Sequence, residues 1–129
     1  MIYHRDFWRA IKGEQLPSIV AIALFDAAVN HGVRSAVEML QRAAGAKPDG
    51  IIGNKTIALI LDANHSALVA LFLARRCRRY ARIVVNDSTQ NRFLLGWMNR
   101  ITQLQMHLHQ IAVRFSLSDW SARSHEDAA

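Results

Sequence analysis

Asp26, Asn30 and His31 stand at the end of an otherwise apolar run, Phe25-Asp26-Ala27-Ala28-Val29-Asn30-His31-Gly32, where side chains able to do chemistry are most concentrated. Asp26 and Asn30 are four residues apart, so on a helix both point the same way, one turn above the other. Gly32 then stops the helix, because it tolerates positive φ just past a C-terminus. An apolar helix that carries a polar strip to its end has two uses for it. The strip either satisfies itself in a buried hydrogen-bond network or floors a cleft, and residue types alone leave both open.

Other constellations carry less. His107 and His109 are two apart and face different ways on a helix, so they do not make the i, i+4 pair that binds zinc. No Cys/His cluster occurs elsewhere, and neither a metal nor a cofactor is expected. Cys77 is the single cysteine, which excludes an intrachain disulfide and leaves the redox compartment open. Its apolar and arginine neighbours on a helix read as the setting of a packed thiol. Arg75, Arg76, Arg78, Arg79 and Arg82 place five guanidinium groups within eight residues. They form either a solvated helix face or an electrostatic docking surface.

The elements that position these groups are all helices. With two prolines, six glycines and little strand-type alternation in 129 residues, the chain reads as one all-α domain of about six helices. Ile2, Tyr3, Phe7, Trp8 and Ile11 give residues 1–12 a broad apolar face that needs something to pack against. Gly13 ends that helix, and Pro17 suits the first turn of the next, which runs to His31. Val33, Ala36, Val37, Leu40 and Ala44 follow the i, i+3, i+4, i+7 template, and Gly45 closes the helix. Pro48-Asp49-Gly50 is a turn with a mechanism: Pro48 presets φ, Asp49 bonds the backbone and Gly50 takes positive φ. Asn54 is expected to cap a short helix to Leu61, and Ser66 a long one to Asn86. A final helix from Asn91 carries Phe93, Trp97, Ile101, Leu104, Leu108 and Ile111 as a heptad-like stripe, predicting a long antiparallel pair with the preceding helix. The domain is placed at residues 1–117, with a polar, disordered tail at 118–129.

Charge and targeting narrow the classes. The net charge of +6 and pI near 10.4 favour polyanionic partners: nucleic acid, anionic lipid, or the acidic groups of a bacterial wall. The first ten residues carry Arg5, Asp6 and Arg9 and no apolar core, so they are not a signal peptide. The longest apolar run, residues 67–74, is too short to span a bilayer. A cytoplasmic site of synthesis follows, with any action at a wall requiring release by another agent. No base-reading or stacking motif accompanies the arginines, which ranks nucleic acid below a wall polymer as partner.

The 25–32 run, followed by Leu40-Gln41-Arg42-Ala43-Ala44-Gly45, resembles the C-terminal part of glycoside hydrolase family 108, lysozyme-like N-acetylmuramidases that are often prophage-encoded and sometimes labelled secretion activator proteins. The turn Asp49-Gly50-Ile51-Ile52-Gly53-Asn54-Lys55-Thr56 is similar to that of peptidoglycan-binding modules. Tyr3-His4-Arg5-Asp6-Phe7-Trp8 resembles the family's linker helix, and Gly96-Trp97-Met98-Asn99-Arg100 its late Gly-Trp motif. The resemblance covers residues 1–105 and implies a lysozyme-like helical domain, peptidoglycan as partner, and Asp26, Asn30 and His31 beside the substrate cleft.

The family's Glu-Gly-Gly motif, whose Glu the resemblance implies as catalytic acid, does not occur in this sequence. Glycoside hydrolysis needs a carboxylic acid in a partly apolar pocket. Glu14, Glu38 and Glu126 read as solvated, and Asp26 alone has an apolar setting. The expectation is a peptidoglycan-binding chain with no catalytic residue of its own. A weak muramidase using Asp26 and a basic nucleic-acid-binding module are the alternatives. A second copy, or an upstream segment, is expected to cover the Tyr3/Phe7/Trp8 face.

Overall fold

Apolar spacing and its punctuation decide where the helices lie. A computed structural model describes the backbone of residues 2–128 and the side chains of residues 5–114. Helix α1 (Ile2–Ala10) leads through a 3₁₀ turn at Gly13–Gln15 into α2 (Ser18–His31), which begins directly after Pro17. Gly32 at φ 88° separates α2 from α3 (Val33–Ala44). Gly45 at φ 76° ends α3, and the Ala46 N–H donates to the Gln41 carbonyl at 2.8 Å, a left-handed closure that glycine allows. Then follow α4 (Asn54–Asp62), α5 (His65–Asn86) and α6 (Leu94–Ala128).

Three helix starts differ from the expected ones. Gly53 stands at the N-cap of α4, so Asn54 is its first residue and makes no side-chain cap. Asn64, not Ser66, caps α5, because its Oδ1 reaches the Ala67 N–H at 2.9 Å and the helix therefore starts earlier. The last helix begins at Leu94 because Asp87 accepts from the Thr89 N–H and hydroxyl at 3.1 and 2.6 Å, winding Ser88–Phe93 into a 3₁₀ turn first. The helix then continues past residue 118, where the polar tail was expected; side chains beyond residue 114 lie outside the described residues.

Helix α2 is the central element. Val20, Ala21, Ala23, Leu24, Ala27 and Ala28 are buried, and it packs against α1, α3, α5 and α6. Its run of alanines lets neighbouring helices approach closely, and burial on most sides suits a helix apolar nearly all round. Ala36, Val37 and Leu40 face it from α3, while Leu68, Phe72, Leu73 and Tyr80 fill the core from α5. Ile101 and Leu108 of the α6 stripe are buried, with Trp97, Leu104 and Ile111 half-buried against the core. Tyr80 stacks on Trp97 at 4.7 Å near the connection, and Val69 and Ala112 line one cavity farther along, so α5 and α6 run antiparallel as expected. Phe93 is 42% exposed and belongs to the turn rather than the stripe.

The aromatic face of α1 is covered in part. Trp8 packs on Phe25 at 6.0 Å and donates to Glu14 at 3.0 Å, Ile11 just beyond the helix is buried, and Phe7 and Trp8 are half-buried. Gly13 lies beneath the indole, where a Cβ would stand 2.3 Å from the ring. The Tyr3 side chain lies outside the described residues. No single helix among the described residues is long and apolar enough to cross a membrane; α4 and α5 meet the test only as a pair bent by 115°.

The loop between α3 and α4 is pinned from inside. Gln41 is wholly buried; its Nε2 donates to Asp49 Oδ1 (2.9 Å), the Ile51 carbonyl (2.9 Å) and Thr56 Oγ1 (3.1 Å). Its Oε1 accepts from the Gly50 N–H at 2.9 Å. One amide thus holds the turn that Pro48-Asp49-Gly50 begins. Gln41→Met, which keeps the volume but strands these partners, is expected to cost about 1–3 kcal/mol in urea unfolding. Gln41→Glu is expected to cost more at neutral pH, since it sets a carboxylate oxygen against that of Asp49. Wild-type stability in both variants would contradict this role.

Candidate functional site

The C-terminal end of α2 turns Asp26 toward α5 and α6, where two arginines meet it. Arg76 of α5 is wholly buried, and its Nη1 lies 2.7 Å from Asp26 Oδ2. Arg100 of α6, about half-exposed, places Nη2 2.9 Å from Asp26 Oδ1. The other two nitrogens of Arg76 are also engaged: Nε donates to His31 Nε2 at 3.2 Å and Nη2 to the Tyr80 hydroxyl at 3.4 Å. Asn30 Nδ2 donates to the Asp26 carbonyl at 2.7 Å and, more weakly, to Oδ2 at 3.4 Å. The His31 ring leans on Tyr80 at 5.0 Å, and Tyr80 stacks on Trp97.

The three residues singled out in the sequence are therefore brought together, and the arrangement is a hydrogen-bonded network joining α2, α5 and α6. A buried charge is tolerated only when paired and hydrogen-bonded, and Arg76 has both. Both Asp26 oxygens accept from guanidinium donors, which leaves neither free to deliver a proton to a glycosidic oxygen. Asn30 remains exposed and His31 half-buried at the same helix end. Glu14 is exposed, and Glu38 accepts from Arg34 Nε at 3.0 Å; Glu126 lies outside the described side chains. Among the described residues no group of three or more His, Cys, Asp or Glu could hold a metal ion.

Arg76 and Arg100 complete the network, and neither is singled out by the sequence reading, which groups Arg76 with the cationic cluster. A signal for Arg76 was present: it lies four residues after Phe72 and four before Tyr80, on the buried face of α5. Arg100 closes the Gly96–Arg100 motif, but its spacing does not announce the pairing with Asp26, which depends on how α6 crosses α2.

A second feature lies on the adjoining side of α5, toward α3. Arg75, Arg78, Arg79 and Arg82 face α3 across a groove of about 600 Å³, with Arg42 on the opposite wall.

Residues 35–102, just over half the chain, match the family model described as Predicted Peptidoglycan domain, and residues 1–32 match that of Glycosyl hydrolase 108. The chain thus belongs to the predicted peptidoglycan domain family, in a glycosyl hydrolase 108 context, as the motifs at 25–32 and 49–56 imply. Among solved structures it is similar to SagA of Brucella abortus, with 27% identity and a TM-score of 0.74 over 83% of this chain. It spans 60% of the length of that structure. No curated protein matches it. The all-helical, lysozyme-like fold agrees with the expected class.

Burial first, then the charges of Arg76 and Arg79, lower the His31 pKa from 6.5 to about 4, against the opposing pull of Asp26. His31 is therefore neutral near pH 7 and accepts from Arg76. Between about pH 6.5 and 4 the unfolded chain takes up a proton that the folded chain refuses, so stability is full above that window and falls as the pH drops through it. The expected loss is about 1–2 kcal/mol, allowing for partial exposure. Asp49, through its Gln41 hydrogen bond, and Asp87, through Thr89, are held below the ordinary 3.8, so their effects fall at lower pH. Thermal unfolding of His31→Gln, which keeps an acceptor without titrating, should lack this limb; an identical pH profile would refute the assignment.

Proposed function

We propose that this chain is the peptidoglycan-recognising helical part of a family 108-type muramidase, acting at the bacterial cell wall. The observation that carries the reading is the match of residues 35–102 to the Predicted Peptidoglycan domain, adjoining glycosyl hydrolase 108 sequence at residues 1–32. Residues 1–129 contain no Glu-Gly-Gly run, and Asp26 is committed to two arginines, so hydrolysis is assigned to no residue of this stretch. Asn30 and His31, at the outer end of α2, stand beside the sugar in this reading, and Asp26 supports them from below. What supports that placement is their shared anchorage: Asn30 is tied to Asp26, and His31 to Arg76.

Binding rather than turnover is the predicted behaviour. The folded chain is expected to co-sediment with purified sacculi at moderate salt and to leave the turbidity of a wall suspension unchanged. Failure to sediment, with helicity confirmed by circular dichroism, would overturn the binding assignment. Turbidity loss that disappears in an Asp26→Asn protein still folded by circular dichroism would instead make Asp26 a catalyst.

A further inference from the structure

The arginines of α5 divide by helix face. Arg76 points inward to Asp26, whereas Arg75, Arg78, Arg79 and Arg82, spaced i, i+3, i+4, i+7, line the outer groove together with Arg42 of α3. Among the described residues Glu38 is the one acidic residue of the lining, and it already accepts from Arg34. Among the described residues no carboxylate pairs with any of the five groove arginines. Arg79 Nε is buried without a hydrogen-bond partner. Five cations confined in one concave site repel one another, and an anion seated among them relieves that repulsion.

We infer that this groove seats the peptide stems of peptidoglycan through their carboxylates. The inference rests on the peptidoglycan reading above and names the part of the polymer that is held. A glycan strand whose muramyl carboxyl is amide-linked to its stem has no charge of its own. The anions that peptidoglycan offers to arginines are then the stem carboxylates, which guanidinium groups bind with two parallel hydrogen bonds. Length agrees as well: the rise from Arg75 to Arg82 is about 10 Å, roughly three residues of extended peptide. A single-stranded nucleic acid fits less well, because among the described residues no aromatic side chain lines the groove to stack on its bases.

The test is fluorescence anisotropy with a labelled disaccharide tripeptide, the same compound with its carboxylates amidated, and the disaccharide alone, beside sacculus co-sedimentation. Wild type is expected to bind the tripeptide at least tenfold more tightly than either control. The variant Arg75→Gln/Arg79→Gln/Arg82→Gln should lose at least tenfold for the tripeptide and no longer distinguish it from the amidated form. Arg42→Gln, a single exposed change on the opposite wall, should lose at least threefold and decides the matter if the triple variant fails to fold. Unchanged affinity in the folded variants, with wild type still retained on sacculi, would overturn the groove assignment and leave the peptidoglycan reading intact. Wild type that binds neither sacculi nor tripeptide would overturn both. Tighter binding of duplex DNA or poly(glycerol phosphate), with the same arginine dependence, would make the groove a phosphate-polymer site and reject the carboxylate assignment.

Discussion

Arg76 is a full positive charge with no exposure to water, and Asp26 at 2.7 Å is the group that makes its burial tolerable. Moving a guanidinium out of water costs several kcal/mol even after relaxation, roughly as much as a small domain has to lose. The surrounding geometry follows from meeting that demand. Asp26 must sit on the last turns of α2, His31 must stay neutral to accept from Nε, and Tyr80 must turn its hydroxyl to Nη2. Arg100 then fastens α6 to the same carboxylate, so one aspartate fixes three helices in one register.

The inward and outward arginines of α5 are two consequences of one periodicity. A residue at 76 falls between Phe72 and Tyr80 on the buried face, while 75, 78, 79 and 82 fall on the side toward α3. The anchor and the groove are thus adjoining faces of the same helix, and α2 packs against both α3 and α6 as well as α5. Substitutions that loosen the anchor would be felt in the groove through the position of α5, without touching any groove residue.

Helix order and most boundaries were legible because they depend on local rules. Val33–Ala44 follows the helical apolar template and is closed by a glycine at φ 76°, and the α6 stripe lies against α5 as its spacing requires. Cap positions were less legible: Gly53 takes the place expected of Asn54 at α4, and Asn64 and Ser66 are both good capping residues of which only the path of the chain selects Asn64. The polar strip was legible as a strip but not as an anchor. Its partners lie 50 and 74 residues away; the Phe72–Arg76–Tyr80 spacing marks Arg76 as inward, but nothing local pairs it with Asp26. Gln41 was hidden for the same reason: its bonds run to Asp49, Gly50 and Ile51 of a loop whose fold they help to create, and to Thr56 of α4.

A double-mutant cycle on Asp26 and Arg76, read by urea unfolding, tests the anchor most directly. Asp26→Asn and Arg76→Met should each cost about 3–5 kcal/mol, because each leaves the other partner unmatched. Made together they should cost less than the sum by at least about 2 kcal/mol, the signature of a direct interaction. Additive losses within about 0.5 kcal/mol, or an Asp26→Asn protein as stable as wild type, would show that the pair does not hold the fold together.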